Sequence, residues 1–351
     1  MTLMLHPSPR RITQPRVSVI VPAYNAEKWL PATLDSVCSQ SLREIEILVV
    51  DDGSTDSTHE IAAAFAARDP RVILIRQDNA GVGAARNRAI AAARGDYIAP
   101  LDADDLWYPE KLARQVDCME AGGDAMGFAY CWSEKIDAAG RVVTGAFPSD
   151  SRGSVLADLL IRNFVGNASV PIFRATALKE CGAYLTRDEQ HGMQGCEDWE
   201  LLLRIAEKYQ VGLVAETLVM YRLAPGCMSM DARSMGESYE CAMTQVRQRN
   251  PDLAPELFRT SAANFYSYLV AKSCNAQDPS GCLWALGKAL RADPMLIASR
   301  RMRRMGLKSL AELAIIKLRG LRDRKRSRPI PQGKGKKEDA LLKHRPAGPL
   351  L

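Results

Sequence analysis

The chain has 351 residues, 47% hydrophobic and 25% charged, with a formal net charge of +6. That composition is ordinary for a folded soluble chain and excludes a mostly disordered, collagen-like or small disulfide-stapled protein. At roughly 150 residues per domain, the length suggests two domains, or one large domain with an extension.

Nine scattered cysteines with no C-x-x-C pair give no sign of a zinc ribbon or a disulfide framework and favour a reducing compartment. Residues 1–16 contain Pro7, Pro9 and Pro15 and no apolar core of a signal peptide, and no stretch has the roughly 18 apolar residues of a spanning helix. A cytoplasmic location is therefore expected. The net charge is divided unevenly: residues 300–351 hold 17 basic and 4 acidic residues, a balance of +13, which leaves −7 on the remainder. A basic arm on an acidic body points to an anionic partner.

In chain order, Val17–Val21, Ile45–Val50, Val72–Ile75 and Tyr97–Leu101 are near-continuous apolar runs that read as buried strands. Between them Glu27–Cys38, Ser57–Arg68 and Gly83–Arg94 read as helices, the last two rich in alanine. The order β-α-β-α-β-α-β implies a parallel sheet with crossover helices, whose ligands bind beyond the carboxyl ends of the strands. A helix at Pro109–Met119, strands at Met126–Trp132 and Ser169–Phe173, a helix at Asp198–Glu207 and a strand at Val211–Val219 follow. The α/β body is expected to end near residue 230. Beyond it, 233–248, 254–274 and 280–290 read as helices punctuated by Pro251, Pro255, Pro279 and Pro294.

Leu307, Leu310, Ala314, Leu318 and Leu321 then recur at helical spacing among Arg300, Arg301, Arg303, Arg304, Lys308, Arg319 and Arg322. Two readings fit this segment equally: a basic amphipathic helix lying on an anionic membrane, or a core helix with a solvated face. From Asp323 onward Lys, Arg, Pro and Gly dominate, as in a disordered tail.

The strand ends carry the chemistry. The first runs into Pro22-Ala23-Tyr24-Asn25 and the second into Asp51-Asp52-Gly53-Ser54-Thr55-Asp56, so both fall on one rim of the sheet. A tyrosine face and a carboxylate there can hold a nucleoside by stacking and by accepting hydrogen bonds. Asp56 reads instead as a helix cap. The fourth strand ends in Leu101-Asp102-Ala103-Asp104-Asp105, three carboxylates within four residues whose repulsion a cation would relieve. Carboxylate oxygens suit Mg²⁺ or Mn²⁺. Gly81-Val82-Gly83 approaches the dinucleotide fingerprint, yet Arg86 stands at its last glycine and the motif follows the third strand, so a nicotinamide enzyme is not expected. These glycines fit a close backbone approach and a helix start. The polar segment Thr186–Gly195 reads equally as a lid or a surface loop, and His191 within it has no His or Cys at ligand spacing. Trp107 and Trp199 are expected to pack a cleft wall.

Five segments in order, V-S-V-I-V-P-A-Y-N (17–25), V-V-D-D-G-S-T-D (49–56), N-A-G-V-G-A-A-R-N (79–87), G-D-Y-I-A-P-L-D-A-D-D (95–105) and G-C-E-D-W (195–199), together resemble the inverting family 2 glycosyltransferases. The resemblance covers residues 16–225. It implies a GT-A fold: an α/β, Rossmann-like mixed sheet flanked by helices, here at 16–230, after a flexible 1–15. A helical C-terminal extension at 231–322 and the basic tail at 323–351 follow. It also implies that Pro22, Tyr24, Asn25 and Asp52 hold the nucleobase and ribose of a nucleotide sugar, with Arg86 near the nucleotide. Asp104 would be the direct metal ligand, and Asp102 would contact ribose or a metal-bound water. Asp198, or less readily Glu197, would take the proton of the acceptor hydroxyl.

The physical logic agrees, because an inverting displacement needs one base and one stabiliser of the departing diphosphate and no covalent nucleophile. Glu197 and Asp198 also suit the acidic first turn of a helix. The implied partners are a nucleotide-sugar donor, with uridine first and guanosine and thymidine next, and a glycan or lipid-linked acceptor in surface-polysaccharide or glycolipid assembly. The arm 300–345 suits the inner face of a cell membrane better than nucleic acid, because from 300 onward there is no Phe, Tyr or Trp for stacking. The competing reading is a catalytically degenerate GT-A domain acting as a membrane-binding or interaction module.

Overall fold

The computed structural model describes residues 14–146, 148–187, 189, 195–223 and 231–326, with side chains through residue 315. Strands β1 (Val17–Ala23) and β2 (Ile45–Asp52) are buried along their whole length, as apolar runs covered on both faces must be. With α1 (Leu30–Cys38), α2 (Thr58–Arg68), β3 (Val72–Gln77), α3 (Val82–Ala92) and β4 (Tyr97–Pro100) they form the expected alternating half. β1 lies parallel to both β2 and β4, and β2 is parallel to β3. The register sets Ala23 opposite Asp51 and Asp52 opposite Gln77, which brings the carboxyl ends to one rim. At the opposite end the buried Glu46 accepts the Ser18 hydroxyl at 2.6 Å and the Arg94 backbone N–H and guanidinium at 2.7 Å each, so this interior carboxylate is fully partnered.

The second half contributes β5 (Leu106–Trp107), α4 (Lys111–Ala121), β6 (Met126–Ile136), β7 (Val142–Thr144), α5 (Leu156–Ile161), β8 (Ile172–Arg174), α6 (Ala175–Cys181), α7 (Glu197–Ala206) and β9 (Gln210–Arg222). The sheet runs β3-β2-β1-β4-β8-β6-β9-β5, with β7 on β6. β8 lies antiparallel to both β4 and β6, so the sheet is mixed. The strand expected at Ser169–Phe173 is only Ile172–Arg174, because Ser169 is spent on the loop after β4. β5, β7, α5 and α6 were not foreseen: two to seven residues are too few to display a period.

The glycines behave as the sequence leads one to expect. Gly81 caps α3 with φ 90°, and a Cβ on Gly83 would lie 2.4 Å from the carbonyl oxygen of Leu185. Gly83→Ala should therefore cost about 1–3 kcal/mol, read as a lower urea midpoint at unchanged slope.

Helices α8 (Ala232–Arg249), α9 (Pro255–Asn275), α10 (Pro279–Ala292) and α11 (Arg300–Arg326) follow. α8 packs on α7 and α9 packs on α5. Trp199 of α7 is buried at this junction, not on a cleft wall. Its indole N–H donates to Leu159 O at 2.9 Å, and its ring lies 5.6 Å from Tyr239 and 5.9 Å from Phe265. The extension thus clamps the helix that begins at Glu197. α11 continues through Arg326, past the expected start of the tail at Asp323; residues 327–351 lie outside the described residues. Among the described residues no helix is long and apolar enough to cross a membrane.

Candidate functional site

The loops leaving β1 and β2 are tied to each other before any ligand is considered. Asn25 adopts φ 48°, a left-handed conformation that asparagine tolerates, and its side chain accepts the Thr55 N–H at 2.9 Å while its own N–H reaches Ser54 Oγ at 3.1 Å. Ser57, not Asp56, is the N-cap residue of α2, but Asp56 beside it accepts the Thr58 N–H at 3.0 Å and the Glu27 N–H at 3.1 Å. Its hydrogen bonds hold its carboxyl below the usual range. Pro22 is buried, and Tyr24 is half exposed on the rim.

Asp52 is buried, and its carboxylate accepts three hydrogen bonds: from Gln77 Nε2 at 2.8 Å, Ala80 N at 2.9 Å and Gly81 N at 2.9 Å. It therefore draws the loop before α3 against the end of β2, a role that the sequence does not reveal. The neighbouring Asp51, also buried, braces its own turn through Ser54 N at 2.9 Å and His59 Nδ1 at 3.0 Å.

The acidic loop after β4 is pinned from the far side of the sheet. Asp105 has no exposed surface; it accepts Ser169 Oγ at 2.6 Å and the Arg222 backbone N–H at 2.9 Å. Burial first, then the charges of Asp104 and Asp102, push its carboxyl well above the ordinary range. The Arg222 guanidinium donates to Asp104 O at 2.7 Å and sits 4.4 Å from the centre of the Trp29 ring. Immediately downstream Leu106 and Trp107 pair with Met220 and Val219 of β9. Asp102 and Asp104 are left half-buried at the rim. Asp105, Ser169 and Arg222 escape the sequence reading, although an arginine ending a long apolar strand on the functional rim is a signal that could have found one of them.

Arg86 joins this loop to α7. Only 3% exposed, it donates to Asp102 Oδ1 at 2.7 Å and to Glu197 Oε1 at 3.0 Å, with the Tyr184 ring 4.9 Å away. Glu197 accepts the Gly195 N–H on its other oxygen at 2.8 Å, so both its oxygens are engaged. Asp198 is half-buried beside it, with the Trp199 N–H donating to its Oδ1 at 2.7 Å. Its carboxyl is pushed up to about 7, chiefly by burial, then by the neighbouring Glu197 charge, with Arg86 pulling the other way. Of the expected site residues, then, Arg86, Asp102, Glu197 and Asp198 form one connected group with Asp104 on the same loop, while Pro22, Tyr24, Asn25 and Asp52 lie at the ends of β1 and β2. In the proposed lid, Asp188, Gln190 and residues 191–194, His191 included, lie outside the described residues.

These residues fit a divalent cation. Three carboxylates crowd one loop, and the Asp105 carboxyl is raised first by its burial and then by the charges of Asp104 and Asp102. Among the described residues no cluster of three or more His, Cys, Asp or Glu side chains forms a protein cage. An ion held by one or two carboxylates and completed by substrate phosphates needs no such cage.

A mixed sheet flanked by helices, with an acidic loop on the rim where its parallel strands end, is the GT-A glycosyltransferase fold. Residues 18–169 match the family described as Glycosyl transferase family 2, and that segment belongs to it. Over 226 residues the chain is 33% identical to protein y4gI of Sinorhizobium fredii, covering 63% of this chain and 24% of that protein. It is 30% identical over 196 residues to the chondroitin synthase of Escherichia coli, covering 55% and 27%. The chain therefore spans about a quarter of the length of these curated relatives. Its fold is similar to that of S. aureus TarS 1-349 in complex with UDP, with a TM-score of 0.57, 18% identity, and coverage of 84% of this chain and 88% of that one.

Proposed function

We propose that the chain transfers a sugar, with inversion, from a nucleoside-diphosphate sugar to a hydroxyl group of a glycan or lipid-linked acceptor in cell-surface polysaccharide or glycolipid synthesis. The observation that carries this reading is the Arg86 bridge, which binds the acidic loop of Asp102 and Asp104 to the helix start that bears Asp198. Donor and acceptor chemistry are thereby held in one frame.

In this reading Tyr24 offers its exposed ring to the nucleobase, while Pro22, Asn25 and Asp52 shape the nucleoside end. Arg86 acts from within, setting Asp102 and Glu197. Asp198 takes the acceptor proton as the oxygen attacks the anomeric carbon; a carboxyl near 7 is matched to that task at neutral pH. Glu197, with both oxygens engaged, positions Arg86 and is not the base. Asp104 and Asp102 would hold Mg²⁺ or Mn²⁺, which supplies charge neutralisation at the departing diphosphate. A uridine donor is supported by the UDP and UDP-GlcNAc bound in the TarS structures, and polysaccharide synthesis by the likeness to chondroitin synthase.

Calorimetric titration with UDP, GDP and dTDP, with and without Mn²⁺, tests the donor site. One nucleotide should bind in a metal-dependent manner, and Asp104→Ala should weaken that binding by about tenfold or more, the loss of one metal-bound carboxylate. A folded protein that binds none of the three would instead be a degenerate module.

A further inference from the structure

Of the large apolar side chains that stay exposed among the described residues, Met295, Ile297, Leu307, Leu310 and Ile315 fall within a single stretch of 21 residues. Leu307 is 67% exposed and Leu310 55%. They are exposed because α11 packs through a different face. Met302 and Ser309 are buried, and Gly306 lets α11 approach α10 so closely that a Cβ there would meet Leu286 at 2.7 Å. The core-helix reading of this segment is thereby overturned for Leu307 and Leu310. Leu318, Leu321, Arg319 and Arg322 have side chains outside the described residues.

With Met302, Gly306 and Ser309 inward, the helical repeat places Arg303, Leu307, Leu310 and Ala314 along one outward stripe. Arg300, Arg304 and Lys308 lie exposed beside it. The short 3₁₀ turn Pro294–Ala298, which carries Met295 and Ile297, is tied to the same helix by Arg303 Nη1 donating to Ile297 O at 3.3 Å. The outward face thus combines unpartnered apolar side chains with a dense positive charge. Beyond it, residues 327–351 add six more Lys and Arg against Glu338 and Asp339.

We infer that this face docks on an anionic lipid bilayer, with α11 lying along the surface, Leu307, Leu310 and Ile315 reaching the acyl boundary, and the arginines and Lys308 at the lipid phosphates. An anionic bilayer satisfies both features at once. A nucleic acid would neutralise the charge and leave the leucines in water. A second copy of the chain would cover the leucines and bring like charges together. The inference goes beyond the transfer reaction and does not depend on it, so its test uses no activity measurement.

The test is co-flotation of the full chain with phosphatidylcholine vesicles, either neutral or containing about one-third phosphatidylglycerol. The chain should float with the anionic vesicles only. Leu307→Asp with Leu310→Asp should weaken partitioning on the order of tenfold or more, and Arg300→Glu with Arg304→Glu should do so by a comparable factor. All four positions are exposed, so circular-dichroism melting of both variants should superimpose on that of the parent. Three results would overturn the proposal. The first is an absence of flotation with anionic vesicles. The second is undiminished binding by the leucine variant, which would mean electrostatic adsorption alone. The third is displacement from vesicles by single-stranded RNA, or a concentration-dependent dimer abolished by the leucine changes.

Discussion

Asp198→Asn is expected to lower turnover by about 10²- to 10⁴-fold, the usual worth of a positioned base, while leaving nucleotide affinity essentially unchanged. The isosteric amide keeps the oxygen that accepts the Trp199 N–H and removes only the capacity to take a proton. Undiminished transfer by this variant, measured with the donor identified by titration, would remove Asp198 from the role of base. The parent enzyme should show a matching pH dependence. Its kcat/KM should fall about tenfold per pH unit below pH 7, because the base works only when deprotonated and its carboxyl titrates at about 7. The titration belongs to the Glu197–Asp198 pair and its Arg86 counter-charge, so the limb reports the group as a whole.

The same shift carries a stability consequence with a definite sign. Folding raises the Asp198 pKa from its usual value near 3.8 to about 7, so the folded protein holds a proton that the unfolded chain releases. Stability therefore declines as the pH climbs from the unfolded value to the folded one, and levels off above it. Asp198→Asn escapes this penalty. At neutral pH the inactive variant should melt no lower than the parent, and higher if burial of Asp198 is as costly as its shift implies. Comparing the two melting curves at pH 5 and pH 8, on either side of about 7, checks the sign, since the advantage of the Asn variant should be larger at the upper pH.

The second large effect concerns Arg86. Arg86→Met should destabilise the fold by about 3–5 kcal/mol, because it leaves Glu197 buried with its charge unpaired. Asp102 contributes less to the loss, since its side chain is 28% exposed and water can take over. Adding Glu197→Gln to Arg86→Met should restore much of the stability, and the difference from additivity measures the coupling across the bridge. Stability alone does not separate a structural arginine from one that tunes the site, but the pH profile does. Arg86 is the positive charge that opposes the upward shift at Asp198, so removing it raises that carboxyl further. The acid limb of kcat/KM should move to higher pH in the Arg86 variant, and an unmoved limb would assign Arg86 a purely architectural role.

The sheet and its functional rim are legible in the sequence because they are local consequences of burial. Val17–Val21 and Ile45–Val50 are apolar except for Ser18 and Glu46, which pair with each other, and a strand covered on both faces needs such a run. The residues after each strand then had to emerge on one side, since crossover connections in such sheets keep the strands parallel. The same logic marks Gly81 and Gly83 as positions where backbone must turn or approach closely, which the φ of 90° at Gly81 and the close contact of Gly83 with Leu185 bear out. Hence the motifs at 22–25, 51–56, 81–86, 102–105 and 197–198 are visible as a set before any coordinates.

What each side chain does with its neighbours is another matter. Arg86 meets Glu197 across 111 positions of sequence, and Arg222 meets Asp105 across 117. Asp52 turns its carboxylate toward Ala80 and Gly81. Nothing periodic marks such pairs, because they depend on how β9 and α7 are brought against the end of β4, a matter of packing between elements. The inward face of α11 is decided in the same way. A stripe of leucines at helical spacing says that a helix is amphipathic; it was Gly306, by permitting the close approach to α10, that turned Met302 and Ser309 inward and left Leu307 and Leu310 outside. Local periodicity determined the elements and the rim. Only the tertiary structure decided which charges are paired, which carboxyl is pushed up toward neutral pH, and which hydrophobic face no described residue covers, because those follow from contacts between segments that the chain order keeps apart.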